Sequence, residues 1–314
     1  MSYTNINSEK FIDQLLHYFI VSSGMFKRRW MQATLRLMLS PPFKRFADIV
    51  SGLDESVARF GFPEASRQLL PRFVRNAEIV GQEHIPQDGP VLIISNHPGT
   101  IDGLLIASRL HRSDLKIVAT GFPFYHALSK LKDNFIFTTN ELSDKISAIR
   151  QSILQLQDGG ALLIFPRGTL EPDPAVMAGA ETTISEWSPS VELFLRKVPE
   201  ARLIITIVSG LIAPSSLRNP FIKLGRTPTE RQSVAEVLQM IRHIYMPRSF
   251  HVSPKLTFDA PRSALELFEQ FGKRGVMQEI VQSAQQLMST HLQSFSPQLA
   301  HAQSPDPGQG ARAR

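Results

Sequence analysis

Two residues of this chain have the types and spacing of a catalytic pair. His97 and Asp102 lie in Ser95-Asn96-His97-Pro98-Gly99-Thr100-Ile101-Asp102. The histidine follows Val91-Leu92-Ile93-Ile94, an apolar run that reads as a short buried strand. Pro98-Gly99 then turns the chain, and Thr100 is placed to cap a helix with Asp102 in its first turn. In open α/β sheets the loops beyond the carboxyl ends of strands are where ligands bind. A five-residue separation across such a turn lets the carboxylate fold back onto the imidazole. Asp102 would hold one ring nitrogen and stabilise the imidazolium, leaving the other nitrogen for a substrate hydroxyl. This is the base and orienter of a hydrolase triad without its nucleophile. Alone, the pair is also compatible with a structural histidine and a carboxylate drawn to a helix N-terminus.

The missing nucleophile narrows the chemistry. The chain contains no cysteine and no Gly-x-Ser-x-Gly elbow. The expected nucleophile is therefore the acceptor substrate, so that acyl transfer is direct, with no acyl-enzyme. Lack of cysteine also excludes disulfides and thiolate metal sites. No His, Asp and Glu cluster has metal-ligand spacing, and Glu171-Pro172-Asp173-Pro174 is too stiff and sparse for a calcium loop. No metal and no bound cofactor are expected.

A second block, Phe165-Pro166-Arg167-Gly168-Thr169-Leu170-Glu171, follows a second apolar strand some 70 residues later. Together the two blocks resemble the glycerolipid acyltransferases that acylate glycerol phosphate and lysophosphatidate. The first motif of that family, Asn-His-x4-Asp, is matched by Asn96, His97 and Asp102. The third, Phe-Pro-Glu-Gly-Thr-Arg, is matched at Phe165, Pro166, Gly168 and Thr169. A weaker fourth motif resembles residues 205–214, and the likeness covers roughly residues 77–260. It implies a donor carried as a coenzyme A or acyl-carrier-protein thioester and a glycerophospholipid-type acceptor. Two departures stand out: Arg167 occupies the glutamate position and Leu170 the arginine position. Thr139 stands where a basic residue often ends the strand before the long helix.

The resemblance assigns acceptor phosphate binding to the third block and to such basic residues. Arg167 is a candidate, because a guanidinium grips phosphate bidentately. Gly168 and Thr169 offer backbone amides, Glu171 could restore the missing carboxylate, and Lys130 could contact phosphate. The alternative is an acceptor without a phosphomonoester, with Arg167 paired to Glu171 in the loop. His126 falls where the family's second, acceptor-binding motif would lie, and Trp187 is expected to pack.

The elements that must hold these residues follow from periodicity. Strands are expected at 77–80, 91–94, 116–119, 135–138, 161–165, 203–208 and 255–258. Helices are expected at 101–110, 124–131, 142–157, 184–197, 230–244 and 264–292. This β-then-α rhythm implies an α/β fold with a mostly parallel central sheet flanked by helices. Residues 9–40 read as an N-terminal amphipathic helical hairpin broken at Ser22-Ser23-Gly24 and stopped by Pro41-Pro42. A helical linker follows at 54–75, with breaks at Gly61 and Pro63. The division expected is a helical, membrane-associating region at 1–76, the acyltransferase domain at 77–262, a helical region at 263–293 and a disordered tail at 294–314.

The whole composition is globular: of 314 residues, 42% are hydrophobic and 20% charged. A formal charge of +6 favours anionic partners such as lipid headgroups and coenzyme A. Aromatics beside Lys27, Arg28, Arg29 and Arg36 suit a helix lying in the membrane interface, or equally a hairpin packed on the domain. No run is long enough to span a bilayer, and Glu9, Lys10 and Asp13 interrupt any leader-like core. The expectation is a cytoplasmic, peripheral protein on the inner face of the cell membrane, with no nucleic-acid partner. A thioesterase, or a catalytically silent lipid-binding membrane protein, are the alternatives.

Overall fold

The computed structural model describes residues 29–121, 125, 128–246 and 252–294, with side chains from residue 36 onward. It opens with helix α1 (Arg29–Phe60) and α2 (Phe62–Leu69), separated at Gly61, whose φ of 80° suits only glycine. Strand β1 (Glu78–Val80) is followed by β2 (Val91–Ser95), α3 (Asp102–Ala107), β3 (Lys116–Thr120) and β4 (Phe135–Thr138). Then come α4 (Leu142–Gln157), β5 (Ala161–Ile164), α5 (Ala180–Ile184), α6 (Ser190–Lys197) and β6 (Arg202–Ser209). The remainder is α7 (Pro214–Leu217), α8 (Pro228–Tyr245), β7 (Lys255–Phe258), β8 (Arg262–Ser263) and α9 (Ala264–Gln293).

The strands form one sheet in the order β1-β7-β6-β2-β5-β3-β4, with β8 added beside β6. The pairs β2–β5, β2–β6, β3–β5, β3–β4 and β1–β7 are parallel, while β6 meets β7 and β8 antiparallel. Strand β2 is central and buried on both faces, which explains its unbroken apolar sequence. Its residues divide by alternation. Val91 and Ile93 join a core with Phe43, Val50 and Leu53 of α1 and Leu105 and Ile106 of α3. Leu92 and Ile94 join a second core with Val191 and Leu195 of α6 and Ile280 and Ala284 of α9. The sheet is thus a middle layer between two sets of helices, the expected class of fold.

Several expected elements differ in detail. Pro41-Pro42 does not stop the first described helix: α1 runs through both prolines to Phe60. The prolines deprive the carbonyls of Leu37 and Met38 of donors, but that stretch faces solvent, with Leu37 77% and Met38 69% exposed. Beyond them Phe43, Ala47, Val50, Leu53 and Val57 form a buried stripe at helical spacing, and this packing overrides the local penalty. Pro63 starts α2 rather than breaking it. The helix expected at 184–197 is two helices, because Trp187 and Ser188 leave the helical path. The Ser188 amide donates to the Pro166 carbonyl at 3.0 Å, and Pro189 then precedes α6. The described part of the expected 124–131 helix instead leads into a 3-10 turn at Leu131–Asn134. Three backbone amides there, of Ser129, Lys130 and Leu131, donate to the Asp54 carboxylate of α1. Helix α9 is kinked at Gly272, where φ is 65°. Residues 9–28 of the expected hairpin and the tail beyond Ser294 lie outside the described residues. Among the described residues no helix is long and apolar enough to cross a membrane.

Candidate active site

Strands β2 and β5 are parallel neighbours in register, so their carboxyl ends deliver the His97 and Phe165 blocks side by side. Asn96 continues β2 by side chain. Its amide nitrogen donates to the Val208 carbonyl at 2.9 Å and its oxygen accepts from the Val208 amide at 2.8 Å. The fully buried carboxamide thereby substitutes for a peptide group and ties the turn to β6. His97 comes next, its Nδ1 2.7 Å from Asp102 Oδ2. A carboxylate only accepts, so Nδ1 carries the proton and Nε2 the lone pair. Asp102 is held in turn: Oδ2 also accepts from the Gly99 amide at 3.2 Å, and Oδ1 from the Gly103 amide at 2.6 Å. Thr100 does not cap α3 as its position suggests, because its hydroxyl donates to Glu236 Oε1 instead, at 2.5 Å. The Phe165 ring stacks on the His97 imidazole at 4.3 Å between centroids. The His97 side chain keeps 26% of its surface open while Asp102 keeps 2%. A partly exposed imidazole with a buried orienting carboxylate is suited to taking a proton from an incoming hydroxyl.

The electrostatics agree with that role. Burial by itself would lower the His97 pKa. The charge of Asp102 and its hydrogen bond outweigh burial, with help from Glu236 and Glu171, and hold the imidazole above its ordinary value. Glu171 is pushed up to about 7 by burial, against hydrogen bonds from Thr183 and Trp187 that favour its charged form. Glu236 is likewise raised by burial, against its two bonds from Thr100.

The model of the Acyltransferase family matches residues 76–185, a stretch containing both blocks. That stretch is similar to the acyltransferase family. No curated protein matches the chain significantly. Among solved structures, the chain is similar to the 1-acyl-sn-glycerophosphate (LPA) acyltransferase PlsC from Thermotoga maritima, at 13% identity and a TM-score of 0.43. That alignment covers 93% of this chain and 97% of the other.

Within the matched stretch, the remaining residues singled out in the sequence fall into two groups. Glu171 joins the His97 neighbourhood. It is 1% exposed, its amide donates to the His97 carbonyl at 2.8 Å, and its carboxylate accepts from Thr183 and from the buried Trp187 indole. Arg167 turns the other way. It does not pair with Glu171; its Nε donates to Glu186 at 2.9 Å and Nη1 to the Leu170 carbonyl at 2.6 Å. Gly168 (φ 75°) and Thr169 are exposed on the same turn. The Gly168 amide, however, closes that turn onto the Phe165 carbonyl at 2.9 Å and is not offered to a ligand. Lys130 is exposed, its amide on Asp54. Thr139 donates to Asp144 at 2.6 Å at the start of α4, and His126 lies outside the described residues.

Three contributors were not evident from sequence. Glu236 of α8 grips Thr100, and Gln232 of the same helix donates to the carbonyls of Pro98 (2.7 Å) and Glu171 (2.8 Å). Asp173, fully buried, accepts from the amides of Gly210 and Ile212, each at 2.8 Å, and so ties the Phe165 block to the end of β6. Nothing in the helical periodicity of 230–244 distinguishes polar residues that face a loop from those that face water. Asp173 had a local signal, a carboxylate in an apolar Pro-x-Pro setting, but no visible partner.

Proposed function

We propose that the chain is an acyltransferase that moves a fatty acyl group from a coenzyme A or acyl-carrier-protein thioester to the hydroxyl of a glycerolipid acceptor such as lysophosphatidate. The observation that carries this reading is the 2.7 Å His97–Asp102 contact, stacked on Phe165, inside an acyltransferase-family domain. Nε2 removes the proton of the acceptor hydroxyl as its oxygen attacks the thioester carbonyl. The tetrahedral intermediate collapses with cleavage of the carbon–sulfur bond, and the imidazolium returns the proton to the departing thiolate. The products are an ester and a free thiol. Asp102 supports the positive ring between those two steps. No side chain of the enzyme becomes acylated.

For a phosphorylated acceptor, Arg167 is the residue we assign to the phosphate, with Thr169 beside it and Lys130 as a further candidate. Its present partner, Glu186, is 59% exposed, and so open an ion pair is weak enough to be exchanged for phosphate. Glu171 acts from beneath, keeping the third block joined to the His97 backbone. Membrane attachment is peripheral and on the inner face, through the basic and aromatic N-terminal region, whose described end exposes Leu37 and Met38.

Purified protein is incubated with labelled acyl-coenzyme A or acyl-carrier protein and a panel of glycerol 3-phosphate, lysophosphatidate, other lysophospholipids and non-phosphorylated lyso-lipids. The reading expects label in a lipid ester only when an acceptor is present. Free fatty acid regardless of acceptor would identify a thioesterase, and vesicle binding without thioester consumption a silent lipid-binding protein.

A further inference from the structure

Helix α8 lies outside the stretch matched by the acyltransferase family, yet it touches both catalytic blocks. Its start is fixed locally: Thr227 Oγ1 accepts from the Glu230 amide, Glu230 reaches back to the Thr227 amide, and Pro228 occupies the first turn. With that phase set, residues four and three apart share one face. Gln232, Glu236 and Gln239 lie on it. Gln232 bridges the carbonyls of Pro98 and Glu171, one from each block. Glu236 Oε1 accepts both the amide and the hydroxyl of Thr100. Gln239 accepts from the Ala213 amide at 2.9 Å and donates to the Leu211 carbonyl at 2.7 Å, beyond the end of β6. Three loops from three adjacent strands, β5, β2 and β6, therefore end on one helix face.

The turn that carries the base is made to receive this face. A Cβ at Gly99 would stand 3.0 Å from Glu236 Oε1, so glycine permits the close approach. The gripped residues, Pro98 and Thr100, fall between His97 and Asp102, the two partners whose mutual distance sets the base. The ionisable groups that bear on His97 are Asp102 in its own turn, Glu236 from α8 and Glu171 from the loop after β5.

We infer that Glu236 is a positioning residue for the reaction. Through Thr100 it fixes the turn that holds His97 against Asp102, with Gln232 locking the same turn to the Phe165 block. It touches neither substrate nor reacting atoms, and acts through the geometry of the base. The inference rests on the acyl-transfer reading for its kinetic consequence, but not for its structural one.

The test compares the full-length wild-type protein with Glu236→Gln and Glu236→Ala, each checked for folding by circular dichroism. Kinetics with acyl-coenzyme A and lysophosphatidate give kcat and KM. NMR of 15N-histidine-labelled protein follows the titration of His97, which does not depend on turnover. Glu236→Ala is expected to lower kcat by about 10-fold or more, with both KM values within about threefold, because misplacement of a base is felt in the chemical step. Glu236→Gln is expected to recover kcat to within about threefold of wild type, since its amide oxygen still accepts from Thr100. Both variants should lower the His97 titration midpoint by removing a nearby carboxylate. Wild-type kcat in folded Glu236→Ala, or an equal loss of kcat in Glu236→Ala and Glu236→Gln, would overturn the inference. If Glu236→Ala fails to fold, Glu236→Asp decides: the carboxylate keeps its charge but is one methylene too short to reach Thr100, so kcat should fall by a similar factor, and wild-type kcat would overturn the inference. A wild-type protein that consumes no thioester, with the 15N shifts of His97 leaving the Nδ1–H form in Glu236→Ala but keeping it in Glu236→Gln, refutes acyl transfer and leaves the positioning role standing.

Discussion

The loop after β2 and the loop after β5 stand side by side at the carboxyl ends of paired strands, but they are built to different standards. In the first, nearly every polar group has a fixed partner. Asn96 is bound to Val208, both oxygens of Asp102 are occupied, and Pro98 and Thr100 are held by α8. In the second, Phe165 and Glu171 are anchored at the two ends, while Arg167, Gly168 and Thr169 form a tip held by bonds within its own turn and by an ion pair to the exposed Glu186. A group that must pass a proton needs its position fixed to a few tenths of an ångström. A group that receives a headgroup must give up one partner for another. Under the proposed acyl transfer, the difference assigns chemistry to the first loop and selection of the acceptor to the second.

The comparison is most easily broken at Asp102. Asp102→Asn leaves the shape of the turn but no longer enforces the Nδ1–H form or supports the imidazolium, and kcat should fall about 10²–10⁴-fold with little change in KM. Unchanged kcat would reduce Asp102 to a residue that merely starts a helix. Asn96→Ala should act on the fold first. It strands a buried amide and a buried carbonyl at Val208, each worth about 1–3 kcal/mol, so a chemical-denaturation midpoint should drop clearly. A midpoint at the wild-type value would mean that the turn is not tethered as described.

Glu171 gives a pH signature. Its pKa is raised in the folded state to about 7, so the folded protein binds this proton more tightly than the unfolded chain. The contribution is full below the ordinary carboxylate pKa and is lost as pH rises toward and through 7, up to about 3 kcal/mol. Glu171→Gln should remove that slope and be more stable than wild type at pH 8, measured by denaturant unfolding across the range. Parallel pH profiles for the two proteins would place Glu171 in a wetter setting than the structure gives it. The smallest effect belongs to the open tip. Arg167→Ala should raise KM for lysophosphatidate about threefold to tenfold at unchanged kcat, with Tm almost unaltered. A large loss of kcat there would erase the contrast between the loops.

Much of this arrangement was legible in the sequence. The apolar runs before His97 and Phe165 announced buried strands, and the β-then-α rhythm announced a parallel sheet that would bring two blocks 70 residues apart together. His97 and Asp102 could be paired because the turn between them is short. What stayed hidden was long-range. Asn96 meets Val208 across 112 residues and Thr100 meets Glu236 across 136, and no local pattern marks either encounter. Propensity misled at Pro41-Pro42, where a buried stripe beyond the prolines carries the helix onward, and at Thr100, where a distant carboxylate outcompeted the helix cap. The pairing of Arg167 was likewise undecidable from spacing, since Glu171 and Glu186 are both plausible partners until the fold buries one of them.

The central claim is that His97 is the base of a direct acyl transfer. Its most direct test is the turnover of folded His97→Ala with a labelled thioester and the acceptor that serves the wild-type protein. The account predicts loss of ester formation by about three orders of magnitude or more, with no acyl-protein in either sample. Retention of more than a few per cent of wild-type turnover would contradict it.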